Sequence, residues 1–109
     1  MEPTLSTAEI HAALQSLPGW EHRNGRLVVE CRCPDFAQAF GFMTSAALEA
    51  ARKGHHPDGW NSYNKVRIEL VTHSAKGITE KDILLAQKFQ QLATRRADLA
   101  GGITRSEER

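Results

Sequence analysis

The sequence has few of the features that mark specialised classes of protein. Its 109 residues include only two cysteines, one tyrosine and two tryptophans, and 14 Lys and Arg nearly balance 13 Asp and Glu. The formal charge of +1 gives no reason to expect direct contact with nucleic acid or a membrane surface. No long apolar run predicts a membrane span, and residues 1–7 lack the basic and apolar regions of a signal peptide. We therefore expect a cytoplasmic protein that is also small enough to diffuse into a nucleus.

The two cysteines are too few and too close together for a disulfide framework. Cys31 and Cys33 are two positions apart in a predicted strand, which places both on one face with unfavourable disulfide geometry. No second pair of cysteines accompanies them. We expect reduced, buried thiols rather than a metal or redox pair.

The length and composition fit one globular domain over residues 1–109. A chain of this size encloses one hydrophobic core, and 40% apolar with 25% charged residues is ordinary for such a domain. Glycines 101 and 102 and the polar residues after them predict a frayed tail over about 98–109.

Three segments are typical of amphipathic helices. Each begins with a capping residue followed three positions later by a side chain that can return the hydrogen bond. These pairs are Ser6 with Glu9, Asp35 with Gln38, and Thr79 with Asp82. Gly54 ends the second helix, and the third runs to about Arg96. The expected apolar face of the second helix consists of Phe36, Phe40, Met43, Ala47, Leu48 and Ala51.

Four segments predict strands. Asn24-Gly25 favours a type I′ hairpin turn between the extended segments 20–23 and 26–33. A short extended segment over 60–63, a turn at Asn64-Lys65 and an alternating strand over 66–71 follow the second helix. The order α-β-β-α-β-β-α predicts an α+β two-layer sandwich, with a four-stranded antiparallel sheet and three helices on one face.

Three of the five histidines lie near predicted ends of elements. His55 and His56 follow the second helix, and His73 follows the last strand. Histidine gives and takes protons near neutral pH, so this cluster suggests an acid–base site. Asp82 belongs with them, because its position in the third helix lies within the apolar arc rather than on the solvated side.

Other interpretations of these residues remain open. Each histidine alone could be structural, and Asp82 could serve only as a helix cap. A zinc site is the rival chemistry, but adjacent histidines rarely converge on one ion and no HxH or HxxxH pair is present. Trp60 and Tyr63 add flat apolar surface that suits a planar heterocycle, although a large aromatic is more often part of a core.

Several motifs together resemble the pterin-4a-carbinolamine dehydratase family, whose members are also described as dimerization cofactors of a homeodomain transcription factor. The matching segments are Leu17-Pro18-Gly19-Trp20, residues 35–44, His55-His56-Pro57, Tyr63-Asn64-Lys65-Val66, Thr72-His73, Gly77-Ile78-Thr79 and Asp82. The resemblance implies the same sheet-and-helix fold that the pattern predicts.

The resemblance also implies a reaction and its residues. The reaction is dehydration of 4a-hydroxytetrahydrobiopterin to quinonoid dihydrobiopterin during tetrahydrobiopterin recycling, with no metal and no organic cofactor. The implied catalytic residues are His55, His56, His73 and Asp82, and the implied substrate-binding residues are Pro57, Trp60, Thr72, His73 and Ser74. The implied partners are the pterin, further copies of the chain in a homodimer or homotetramer, and a transcription factor's dimerization segment.

Two positions depart from the family pattern. The tryptophan usual after the acidic residue of the His-His-Pro segment is Gly59 here, with Trp60 one place later, and a glutamate usual four residues before His55 is Ala51. Strand alternation turns Trp60 to the opposite face unless the chain bulges at Gly59. If it does not bulge, we expect Trp60 to pack in the core or at a subunit contact.

Overall fold

The computed structural model, which describes residues 3–97 and 102–104, consists of one antiparallel sheet and three helices packed on one of its faces. The helices are α1 (Thr7–Leu14), α2 (Phe36–Lys53) and α3 (Glu80–Ala97). The strands are β1 (Glu21–Arg23), β2 (Arg26–Arg32), β3 (Asp58–Ser62), β4 (Lys65–Leu70) and β5 (Gly102–Thr104), and a 3₁₀ turn spans His73–Ala75. The predicted α+β sandwich and its order of elements are confirmed.

The sheet has the order β1-β2-β4-β3, with β5 added beside β2. β1 covers only the first half of β2, and β5 pairs with the remaining half at Glu30, Cys31 and Arg32. Gly102–Thr104 therefore form a strand where we expected a frayed tail, because that stretch of β2 offers an unpaired edge. The other residues of the expected tail lie outside the described part of the chain.

The predicted helix caps are present. Ser6 and Glu9 form a reciprocal capping box, with the Glu9 carboxylate accepting from the Ser6 N–H at 2.8 Å and the Ser6 hydroxyl accepting from the Glu9 N–H at 3.1 Å. The Asp35 carboxylate accepts from the Gln38 N–H at 2.8 Å. Gly54 closes α2 in the left-handed conformation, at φ 65°. α2 thus ends directly before the two adjacent histidines.

One of the two predicted turns is confirmed and the other is displaced by one residue. Asn24 and Gly25 have φ values of 53° and 75°, as a type I′ turn requires. The second turn lies at Tyr63 and Asn64 rather than at Asn64-Lys65. The Asn61 amide donates to the carbonyls of Tyr63 at 3.1 Å and Lys65 at 2.9 Å, and these bonds fix the turn's position.

The core lies between the sheet and the helices, and α2 enters it by a different face from the one expected. The residues that α2 buries are Ala39, Phe42, Ala46, Glu49 and Ala50. Phe36, Phe40 and Leu48 remain 50%, 53% and 65% exposed. α2 therefore packs through Phe42 and several alanines, and of the expected apolar face only Met43 contacts the core.

The cysteines are free thiols, as expected. Cys31 is buried, and this burial raises the pKa of its thiol well above the usual value. Cys33 is only partly buried. Across residues 3–97 and 102–104, no helix is both long and apolar enough to cross a membrane.

Candidate functional site

The predicted site residues come from three places where elements end or begin. His55 and His56 lie between the Gly54 cap of α2 and the start of β3, His73 opens the 3₁₀ turn that follows β4, and Asp82 lies in the first turn of α3. The backbone N–H of His55 donates to the Ala50 carbonyl at 3.1 Å, which ties the histidine segment to the end of α2.

His55 and Asp82 form a direct pair. The Nε2 atom of His55 lies 2.6 Å from Oδ1 of Asp82. The Asp82 side chain is fully buried, and that of His55 is 12% exposed. An ionised carboxylate only accepts hydrogen bonds, so with Asp82 ionised the proton of this bond lies on Nε2. The pair fixes both the orientation and the tautomer of the imidazole.

The second oxygen of Asp82 is held by two threonines. Oδ2 accepts from the Thr72 hydroxyl at 2.7 Å and from the Thr79 N–H at 2.9 Å. The hydroxyls of Thr72 and Thr79 are 2.7 Å apart, and Thr79 Oγ1 accepts from the Lys81 N–H at 3.3 Å. Since the Thr72 proton goes to Asp82, Thr79 donates to Thr72, and the chain of hydrogen bonds points towards the carboxylate. Asp82 is thus both a helix cap and the hydrogen-bond partner of His55, so the structural interpretation is confirmed and the catalytic one stays a prediction.

His56 faces a different region from His55. The two side chains line different cavities, which agrees with the prediction that their rings point to opposite sides of the segment. His56 lies with Pro57 and Gly59 at a cavity of about 250 Å³ between α2 and the sheet, whereas His55 lines a smaller one of about 100 Å³ with Lys53 and Lys81. Within the described ranges, the His56 side chain makes no hydrogen bond to protein, so its ring nitrogens are available to a ligand.

His73 and Ser74 are exposed on the 3₁₀ turn. Thr72, directly before them, is 4% exposed and engaged with Asp82, so it supports the site from within instead of facing a ligand. Among residues 3–97 and 102–104, no side-chain hydrogen bond or ion pair joins His73 to either of the other two histidines. The structure therefore brings His55, Asp82 and Thr72 together, while within these ranges the side chains of His56 and His73 make no hydrogen bond to protein.

Trp60 lies on the other face of the sheet. The register of β3 against β4 is unbroken, pairing Gly59 with Ile68 and Trp60 with Arg67, so no bulge turns the indole towards His56. The Arg67 guanidinium carbon lies 4.3 Å from the centroid of the Trp60 ring, and Trp60 is 47% exposed. The expectation of a core position is wrong, and the expected substrate contact does not fit this placement, because strand alternation decides the face.

Two parts of the site have no counterpart in the sequence-based predictions. Thr79 appeared only as a helix cap, yet its hydroxyl completes the threonine chain behind Asp82. The cavity beside His56 is formed by residues that lack bulk, chiefly Ala46, Ala50 and Gly59. The signal was the coincidence of small residues on α2 with a glycine in β3, which becomes visible only when the two elements are packed together.

We searched for side chains that could bind a metal ion together. In the described part of the chain, no group of three or more His, Cys, Asp or Glu side chains is arranged to hold an ion. The arrangement is better suited to moving protons: one imidazole is fixed by a buried carboxylate, and a second imidazole is open to a cavity.

Comparisons with known proteins agree on one family. A family model described as pterin 4 alpha carbinolamine dehydratase matches residues 3–92. A relative from Solibacter usitatus is 48% identical over 93 residues, which are 85% of this chain and 98% of the relative. A relative from Brucella ovis is 43% identical over 91 residues, which are 82% of this chain and 94% of the relative. Both are provisionally named pterin-4-alpha-carbinolamine dehydratase. The crystal structure of a transcriptional coactivator/pterin dehydratase from Brucella melitensis superposes with a TM-score of 0.80 at 40% identity, over 84% of this chain and 99% of that one.

Proposed function

The chain belongs to the pterin 4 alpha carbinolamine dehydratase family, and we propose from that membership that it converts 4a-hydroxytetrahydrobiopterin to quinonoid dihydrobiopterin and water, as a step of tetrahydrobiopterin recycling. The observation that carries the proposal is the pair of His55 with the buried Asp82 at 2.6 Å, beside a His56 that is open to a cavity. Two imidazoles in different environments are what an acid–base elimination uses.

The reaction needs two proton transfers and no change of oxidation state. The bond between C4a and the hydroxyl oxygen breaks, and the leaving hydroxyl takes a proton from an acid to become water. A base removes the proton on N5, and the N–H electron pair forms the double bond between N5 and C4a. We assign these transfers to His55 and His56, because both follow the α2 cap, and one imidazole is held by Asp82 while the other is open to a cavity.

Asp82 and His73 have supporting roles in this proposal. Asp82 holds His55 in one orientation and stabilises the imidazolium that forms when His55 takes a proton. His73, exposed and one residue from the Asp82 partner Thr72, binds or polarises the pterin or assists the proton transfers. Pro57 and Ser74 complete the proposed substrate contacts, while Trp60 lies outside the proposed site.

A stopped assay with enzymatically generated 4a-hydroxytetrahydropterin tests the assignment. We expect His56→Ala and His73→Ala each to lower kcat/KM by at least about 10²-fold, the scale of one positioned acid–base group, with the fold intact by circular dichroism. His11→Ala is the matched control, since His11 is exposed on α1. Near wild-type turnover in both site variants would show that the site is misassigned.

The proposed chemistry requires no Lewis acid, because imidazoles alone supply and accept both protons. Activity should therefore survive dialysis against a strong chelator. Stoichiometric zinc in the purified protein, with activity lost on its removal and restored on its return, would overturn this part of the proposal.

A second candidate function is protein binding, as a dimerization cofactor of a transcription factor. The apolar face of α2 formed by Phe36, Phe40 and Leu48 favours it, because these side chains are at least half exposed. The Brucella melitensis protein is described as a transcriptional coactivator as well as a pterin dehydratase. Titration of the chain with a helical dimerization segment, followed by calorimetry, tests this function, and a Leu48→Glu variant should lose any binding.

A further inference from the structure

The turn that carries His73 and Ser74 is closed by its own backbone. The Thr72 N–H donates to the Gly77 carbonyl at 3.0 Å, and the Gly77 N–H donates back to the Thr72 carbonyl at 3.4 Å. Lys76 ends the 3₁₀ turn in the left-handed conformation, at φ 59°. Because His73 and Ser74 are exposed, their positions depend on this backbone more than on side-chain packing.

The segment before α1 contacts the same stretch of backbone. The Leu5 N–H donates to the Ile78 carbonyl at 2.8 Å, and the Leu5 side chain packs against the core. Ile78 is buried, and a buried backbone carbonyl needs a hydrogen-bond donor. Residues 77 and 78 are therefore held by two segments that are far apart in sequence, one at Thr72 and the other at Leu5.

Gly77 allows the segment before α1 to come this close. A Cβ built on Gly77 would lie 2.9 Å from Cγ2 of Thr4 and 3.5 Å from its Cβ. Non-bonded carbon atoms prefer a separation of about 3.5–4.0 Å, so the first distance requires a shift. Threonine is stiff about χ1, so its methyl group does not readily turn aside. Gly77 is not in the left-handed region, so glycine is needed here for the close approach and not for its conformation.

Residues 77 and 78 join two parts of the proposed site. They lie in sequence between Thr72 and Thr79, whose hydroxyl and N–H, respectively, donate to Oδ2 of Asp82. Residue 77 also closes the turn that carries His73. A displacement of this short segment would therefore change the position of His73 relative to Asp82.

We infer that Thr4 and Leu5 are positioning residues of the proposed site, which hold residues 77 and 78 and, through them, His73. The inference rests on the proposed function, because that function makes the position of His73 matter for turnover. A misplacement of about 1 Å in a group that acts on a substrate can cost as much as 10²-fold in rate. The proposed site thus extends to the segment before α1.

Gly77→Ala tests the inference, because the added methyl group would displace Thr4 or the turn. We expect kcat/KM to fall about tenfold. We also expect a shift of the His73 imidazole NMR signals, which are identified by their loss in His73→Ala. Combining Gly77→Ala with Thr4→Ala should return both readouts to near the wild-type values, since the clashing methyl carbon is gone. Thr4→Ala alone is the reference for the double variant.

A second pair of variants removes the Leu5 hydrogen bond without adding bulk beside Gly77. Leu5→Pro lacks the N–H that donates to Ile78, whereas Leu5→Ala keeps it, and both lose the leucine side chain. Relative to Leu5→Ala, we expect Leu5→Pro to shift the His73 signals and to lower kcat/KM about tenfold. This comparison decides the inference if Gly77→Ala does not fold.

The outcomes separate this inference from the proposed function. A defect in Gly77→Ala that Thr4→Ala does not relieve would confine Gly77 to a local structural role and overturn the inference. Unchanged His73 signals in Leu5→Pro relative to Leu5→Ala would also overturn it, as would shifted signals with wild-type kcat/KM. If the wild-type chain does not turn over the carbinolamine, the proposed function fails, and the His73 signals alone then decide whether the segment before α1 fixes this turn.

Discussion

At the scale of single residues, Asp82 does two tasks through its two oxygens. Oδ2 accepts from the Thr79 N–H as a helix-capping carboxylate does, and Oδ1 holds His55. A fully buried carboxylate needs several hydrogen bonds to offset its lost hydration, and Asp82 has three donors, from His55, the Thr72 hydroxyl and the Thr79 N–H. The helix cap and the site therefore share one carboxylate. A substitution at a residue that hydrogen-bonds Asp82 should alter the position of His55.

Thr72→Val tests this link. Valine keeps the shape of threonine but removes the hydroxyl that donates to Asp82, so we expect a loss of about 1–3 kcal/mol in the free energy of unfolding. We also expect kcat/KM to fall about tenfold and the pH profile of kcat/KM to shift, because His55 loses its fixed partner geometry. Urea unfolding and the dehydratase assay measure the two effects.

Two controls accompany Thr72→Val. Thr72→Ser keeps the hydroxyl and should restore most of the activity. Ser16→Ala removes a hydroxyl that donates to the Ala13 carbonyl at the exposed end of α1, and its stability should change by no more than about 0.5 kcal/mol. A Thr72→Val enzyme that is less stable but has the wild-type pH profile would limit Thr72 to a structural role.

Trp60→Ala measures what the exposed indole contributes. Because Trp60 lies on the outer face of the sheet over Arg67, we expect KM to stay unchanged and stability to fall by only about 0.5–1 kcal/mol, the scale of an exposed cation–π pair. A double-mutant cycle with Arg67→Ala isolates the pair's coupling. A KM raised severalfold in Trp60→Ala would instead mean that the indole contacts the substrate.

The residue types of the site were predictable, whereas their connections were not. Three histidines and an aspartate near element ends indicate acid–base chemistry from the sequence alone. The bond from Thr72 to Asp82 joins residues ten positions apart in different elements, and no local pattern encodes it. The cavity depends on side chains that are absent, and a sequence gives no direct signal for empty space between two packed elements.

At the scale of elements, the end of α2 positions the histidine segment. Gly54 has φ 65°, a conformation that favours glycine, and a Cβ there would meet nothing within 4 Å. The cost of a substitution is therefore conformational rather than steric. The sequence identified this glycine as the end of α2 because the left-handed conformation at a helix end favours glycine.

Gly54→Ala should lower the free energy of unfolding by about 1 kcal/mol, since alanine is strained in the left-handed region. Gly54→Asn should cost less, because asparagine tolerates that region. Urea unfolding of the two variants beside the wild type gives both values. If Gly54→Ala proves as stable as the wild type, the helix end must relax to another conformation, and the segment holding His55 is less firmly fixed than its geometry indicates.

The apolar face of α2 shows why a helical pattern can mislead. α2 carries apolar residues on more than one face, and periodicity alone favours the face with the largest side chains. The sheet and α3 instead contact the face on which Phe42 lies among Ala39, Ala46 and Ala50, where the small residues allow close approach. The caps and the Asn24-Gly25 turn were predictable because they depend on neighbours in sequence, whereas the choice of the buried face depends on distant elements.

At the scale of the whole molecule, the fold leaves apolar surface that one chain does not cover. Phe36 and Phe40 lie side by side on α2 with ring centroids 5.7 Å apart, and Leu84 on α3 is 54% exposed. The order of elements followed from the sequence because each helix and strand carries its own start and stop signals. Assembly does not follow in this way, since it depends on which exposed surfaces meet between copies.

We expect the chain to form a homodimer or homotetramer in solution through this apolar surface on α2. Exposed aromatic and leucine side chains on one helix face favour burial against another copy, because removing apolar area from water is favourable. Sedimentation at micromolar concentration should show a mass two or four times 12.1 kDa. Leu48→Glu and Phe40→Glu should each shift the distribution of sedimenting species towards smaller masses, because a charge would be buried at the contact. The control Gln15→Glu, on the exposed end of α1, should leave this distribution unchanged. A wild-type chain that sediments only as a monomer would refute the assembly and leave the α2 surface to a different protein partner.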